Sequence, residues 1–101
     1  MIQQGDVVLI RVDCLPDGVK NKEGYTLAEG EVTGHSHRIT ELDTNLCDLF
    51  EKDGVLYVKA KESVSLIHQE HKAVEIPTGV WKVNIVKEFD HFLEESRNVQ
   101  D

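Results

Sequence analysis

From residue 6 to residue 86 apolar side chains recur at every second position, and turn residues cut the run into pieces the length of single strands. A period of two marks strands with one buried face, whereas a helix needs a period near 3.6. "DVVLIRVD" (6–13) is rich in β-branched residues and lies between Gly5 and the turn Pro16-Asp17-Gly18. "VKNKEG" (19–24) reads as a polar loop. "YTLAEGEVTGHSHRITEL" (25–42) reads as one long strand, or as two broken near Gly30 or Gly34. "LCDLFE" (46–51) and "VLYVKA" (55–60) flank Lys52-Asp53-Gly54, a hairpin signal. "SVSLIH" (63–68), "AVEIP" (73–77) and, after Thr78-Gly79, "VWKVNIV" (80–86) complete the series. About seven or eight strands predict an all-β fold, a small single-domain barrel or sandwich over residues 1–87. Residues 88–101 read as an acidic tail or one short helix capped by Asp90. Such a helix needs Phe89, Phe92 or Leu93 docked on the body to be stable.

A chain of 101 residues suits one domain with a modest core. Its net charge of −8 repels phosphate backbones and anionic lipid, and its cationic residues are scattered (Lys59, Lys61, Lys72, Lys82, Lys87). Nucleic acid and membrane surfaces are therefore excluded as expected partners. No apolar run approaches the roughly 20 residues that span a bilayer. "MIQQGDVVLI" lacks the features of a secretory signal, which points to a cytoplasmic protein. In that reducing compartment Cys14 and Cys47 are expected as free, mostly buried thiols. Apolar edges such as "VVLI" and "VNIV" favour a homo-oligomer.

Four of the five histidines fall in two stretches, "GHSHRI" (34–39) and "LIHQEHK" (66–72). On a regular strand His35 and His37 share a face with Ile39, and Arg38 points the other way. In the second stretch His68 continues the row of Val64 and Leu66. Pairing Leu66 with Val74 and Val64 with Ile76 matches apolar to apolar, the arrangement that selects register when one face is buried. That register pairs His68 with Lys72 and leaves Gln69-Glu70-His71 as the loop. The two stretches are then expected to converge, His35, His37 and His68 facing inward and His71 beside them. Imidazoles so placed suit a divalent metal such as Zn, Fe, Ni or Mn, with Glu41 or Glu70 adding a carboxylate. The competing readings make the histidines hydrogen-bonded core groups, contacts at an oligomer interface, or groups for metal-free acid–base chemistry. His91 lies apart and reads as a tail residue, and Trp81, in phase with Val83 and Ile85, reads as core.

"HSHRITE" (35–41) has the form His-x-His-x3-Glu and resembles the first metal-binding motif of cupins. That resemblance implies His35, His37 and Glu41 as ligands inside a small β-barrel. The second cupin motif is matched only by Pro77 and Gly79, with Lys82 where its His belongs and Val86 where its Asn belongs. His68 or His71 would then be the fourth ligand. A longer resemblance runs through "LAEGEVTGHSHRI", "LIHQEHKAVEIPTGVWKV", "KEF" and "RNVQD". These stretches are similar to a family of small bacterial and phage proteins that carries no established activity.

The sequence thus supports a His-lined metal-binding β protein, with residues His35, His37, His68, His71, Glu41 and Glu70 as candidate ligands. The alternative is a non-enzymatic structural or interaction protein, such as a phage or mobile-element accessory subunit. No nucleophile elbow, phosphate loop or Ser-His-Asp pattern appears, so no catalytic residues and no small-molecule substrate are assigned.

Overall fold

The computed structural model describes residues 1–29 and 34–86. The expected tail at 88–101, with His91 in it, lies outside the described residues. Among the described residues ten strands form two antiparallel sheets. In chain order they are β1 (Ile2–Gln4), β2 (Val7–Val12), β3 (Lys20–Asn21), β4 (Thr26–Glu29), β5 (Ser36–Ile39), β6 (Cys47–Lys52), β7 (Val55–Ala60), β8 (Val64–Ile67), β9 (Val74–Ile76) and β10 (Gly79–Ile85). The larger sheet runs β1-β2-β10-β7-β6-β3 and the smaller β4-β5-β8-β9. They share one core, to which the larger sheet gives Val7, Leu9, Leu49, Val58, Trp81 and Val83, and the smaller Leu27, Ile39, Val64, Leu66 and Ile76. The described residues form an open two-sheet stack and no closed barrel.

The alternation predicted from sequence is borne out in most strands. In β8 Val64 and Leu66 are buried while Ser65 and Ile67 are half-buried. The pairings Leu66 with Val74 and Val64 with Ile76 hold. The β6–β7 hairpin closes on Asp53-Gly54, with Lys52 paired to Val55. Both turn residues have positive φ, 52° and 80°, the backbone of a type I′ turn, and Asp and Gly tolerate it better than other residues.

Three expectations need correction, and one strand lies where none was expected. The N-terminal Ile2–Gln4 forms an edge strand on β2, although its run is too short to show periodicity. The polar stretch 19–24 contains β3, a two-residue strand held by main-chain pairing with β6 and not by side-chain burial. Residues 25–42 contain two strands, β4 and β5, as in the reading that breaks the run near Gly30 or Gly34, and the two pair with each other; only the end of the run differs, Glu41 and Leu42 opening a 3₁₀ helix (Glu41–Leu46) with no buried residue. Cys14 is exposed; only Cys47 is buried, and both are free. Burial, with Asp48 and Asp43 nearby, pushes the Cys47 thiol up to about 11. Among the described residues no helix is long and apolar enough to cross a membrane.

Candidate functional site

The two histidine stretches do meet. β5 and β8 are neighbours, with Arg38 opposite Ile67 and Ile39 opposite Leu66. The end of β5 that carries His37 therefore lies beside the loop that follows β8. The His37 and His68 rings are 4.3 Å apart, His68 and His71 4.7 Å, His35 and His68 5.6 Å, and His37 and His71 5.8 Å. His37 is 1% exposed and shares the inner face of β5 with Ile39. His35 precedes the strand and is half-buried, and His71 is exposed on the loop.

Glutamines fasten both stretches. The Gln4 side chain, 3% exposed, donates from Nε2 to Leu66 O and to Lys72 O, each at 2.9 Å. The β8–β9 ladder stops at Leu66 and Val74, short of the expected His68–Lys72 pair, and Gln4 supplies hydrogens to the carbonyls there. Gln69 does the same for the other stretch. Its Oε1 accepts from Ser36 N at 2.9 Å and its Nε2 donates to Gly34 O at 3.2 Å.

These bonds set the state of His37. Both Gln4 amide hydrogens are used on carbonyls, so Gln4 Oε1 faces His37 Nδ1, 2.8 Å away, as an acceptor. The ring proton therefore sits on Nδ1. His37 Nε2 lies 3.1 Å from Asp6 Oδ1. Burial, followed by the neighbouring His68, holds His37 below the usual histidine range, against the pull of Asp6. A neutral His37 with its proton on Nδ1 presents a lone pair at Nε2 to a carboxylate oxygen. Two acceptors at 3.1 Å repel each other unless a cation, a proton or a metal ion, lies between them.

The other histidines differ. The Glu70 amide donates to His68 Nδ1 at 3.0 Å, which leaves the proton of the neutral ring on Nε2. Burial and the adjacent His71 and His35 lower the His68 pKa. His35 Nδ1 is buried without a hydrogen-bond partner, 3.8 Å from Glu70 Oε1. Gly5, at φ 58°, gives His71 its place: a Cβ built there would lie 2.6 Å from His71 Nε2 and 3.2 Å from His37 Cε1.

Of the six candidate ligands, the structure brings together His35, His37, His68, His71 and Glu70. Glu41 stands apart in the 3₁₀ helix, 3.9 Å from Arg38, whose side chain leaves the opposite face of β5 from His37. The His-x-His-x3-Glu pattern does not converge because the strand ends at Ile39. As the side chains stand, no three His, Cys, Asp or Glu groups among the described residues are close enough to hold a metal ion. Sequence reading missed Gln4, Gly5, Asp6 and Gln69. Gln4-Gly5-Asp6 is a glycine turn between two strands, and only the position of β1 on β2 points its side chains at the histidines.

No curated protein and no solved structure matches the chain. One family model matches residues 3–86, a span that takes in both histidine stretches, Gln4, Asp6 and all ten strands but part of β1. The chain belongs to that family, described as a domain of unknown function (DUF8820).

Proposed function

We propose that this protein binds one divalent transition-metal ion at the histidine cluster, through His37 Nε2, Asp6 and His71, with His35 and Glu70 at the rim. The observation that carries the reading is the 3.1 Å approach of His37 Nε2 to Asp6 Oδ1. Ligand bonds of about 2.0–2.1 Å set neighbouring donor atoms about 3.3 Å apart around a tetrahedral ion and about 2.9 Å around an octahedral one. The observed separation falls between the two. The Gln4 bond to Nδ1 is the outer-shell contact that metal-bound imidazoles use to fix their tautomer. His71 is exposed on the neighbouring loop, its ring centroid 5.8 Å from that of His37. His68 does not fit as a ligand in this arrangement, because Glu70 N–H occupies its one lone pair.

The second reading is structural, and the bond from Glu70 to His68 favours it. In that reading the imidazoles cement β5, β8 and the N-terminal turn, and a proton bridges His37 and Asp6. This is the role expected of a non-enzymatic accessory subunit, and it fits a phage or mobile-element origin equally well. Calorimetric titration of EDTA-treated protein with Zn²⁺, Ni²⁺ and Co²⁺ decides between them. One equivalent bound by the parent, and a loss of at least tenfold in His37→Ala and Asp6→Asn, supports the metal site. No saturable binding of any of the three ions gives the structural reading.

A further inference from the structure

The three groups proposed to hold the ion, His37 Nε2, Asp6 and His71, leave the fourth position of a tetrahedral ion to an outside ligand, as sites with three protein ligands do. Of the three only Asp6 carries a negative charge, so a divalent ion there keeps a net charge of one. The imidazoles that do not bind the ion decide what meets that outside ligand. His68 is half-buried beside both ligand rings, 4.3 Å from His37 and 4.7 Å from His71. Its Nδ1 accepts from Glu70 N–H at 3.0 Å, so the neutral ring carries its proton on Nε2. His68 is thus a hydrogen-bond donor next to the ion and not a ligand to it. His35 stands edge-on to His68 at 5.6 Å, and its Nδ1 is buried without a hydrogen-bond partner among the described residues. A buried polar atom left so calls for a ligand.

We infer that the open position of the ion takes a small carboxylate, one oxygen on the ion and the other accepting the His68 Nε2–H, with His35 at its side. This rests on the metal-binding reading. A single negative charge matches the single net charge of the loaded site. The two oxygens of a carboxylate let it reach the ion and the imidazole together. A dianion fits less well, because Glu70 Oε1, 3.8 Å from His35 Nδ1, already sets a negative charge at the rim.

The test loads the full chain with Co²⁺, follows its visible spectrum and adds acetate. The parent should show a saturable spectral change. His68→Phe keeps a flat ring beside His37 and His71 but has no N–H. It should bind Co²⁺ within about threefold of the parent and acetate about tenfold more weakly, the loss expected for one hydrogen bond to a charged group. Glu41→Ala should match the parent in both titrations. In Zn²⁺-loaded parent, which needs no variant to fold, acetate should shift the His68 Nε2–H resonance in an imidazole ¹H–¹⁵N spectrum. If Co²⁺ binds but acetate leaves the spectrum unchanged, or binds His68→Phe as tightly as the parent, the inference fails and the metal reading stands. An unmoved His68 resonance in the acetate complex overturns it too. If neither ion binds, both fall.

Discussion

Gln4 and His37 are joined across the two sheets by a 2.8 Å bond from Nδ1–H to Oε1, and the same carboxamide holds two main-chain carbonyls, Leu66 O of β8 and Lys72 O of the loop before β9. One buried side chain therefore determines where β8 stops and which nitrogen of His37 is free. Removing it leaves two carbonyls and a ring N–H without partners in a nearly closed space. Leaving a buried polar group unpaired costs about 1–3 kcal/mol. Gln4→Leu should therefore lose about 2–4 kcal/mol of unfolding free energy in urea denaturation. Gln4→Glu keeps the acceptor for His37 but sets carboxylate oxygen against Leu66 O and Lys72 O, so it too should destabilise. If either variant unfolded at the parent's urea midpoint, Gln4 would not be the fastening residue.

Gly5 is tested against Gly24. Both have positive φ, 58° and 83°, so both substitutions by Ala carry the backbone cost of about 1 kcal/mol. Only at Gly5 does the new methyl meet anything: His71 and His37, whereas nothing lies within 4 Å at Gly24. Gly5→Ala should lower metal affinity at least tenfold because it displaces His71. Gly24→Ala should lower stability alone. Equal affinity in the two variants would remove His71 from the proposed ligand set.

The fold was readable from sequence wherever one strand face is buried and a turn has chemistry of its own. The β8–β9 register followed from Val64, Leu66, Val74 and Ile76, and the β6–β7 hairpin from Asp53-Gly54. The convergence of His37 and His68 followed from the same alternation. What escaped was held by pairings without periodicity. β1 and β3 are three and two residues long, and such runs carry no pattern. Gln4 and Asp6 belong to the site through the antiparallel pairing of β1 with β2, a contact that local spacing does not encode. Glu41 was misplaced for the converse reason. A spacing motif presupposes a continuous strand, and β5 ends at Ile39.

The metal-free protein should lose stability on acidification. His37 and His68 both have lowered pKa values, mainly from burial and then from the neighbouring imidazoles, His68 for the first and His71 for the second. Asp6 opposes the shift in both, and Glu70 also does so at His68. Above the unfolded value of 6.5 both states are neutral at these rings and the contribution is constant. As pH falls below 6.5 the unfolded chain takes up protons first, so stability declines until the folded rings also protonate. Urea midpoints in EDTA should fall between pH 7.5 and 5.5, and His37→Gln should flatten that slope. A midpoint that rises on acidification would mean that the rings gain partners when charged, with Asp6 and Glu70 prevailing over burial.

The ligand assignment yields an order of effects. In a cobalt or zinc titration at pH 7.5, His37→Ala, Asp6→Asn and His71→Ala should each weaken binding at least tenfold. His68→Ala should weaken it less, since Glu70 N–H occupies its lone pair. Glu41→Ala should match the parent, because Glu41 faces Arg38. Affinity should fall as pH drops through the histidine range, where protons compete for the same lone pairs. The ion binds only the folded state, so metal at a hundred times Kd should add about 2.7 kcal/mol, roughly 13 °C in Tm for a domain of this size. The thermal shifts should follow the affinities through the variant series. A series in which Glu41→Ala lost as much as His37→Ala would restore the spacing motif as the ligand set. A series without differences would leave the four imidazoles as structural contacts between the sheets.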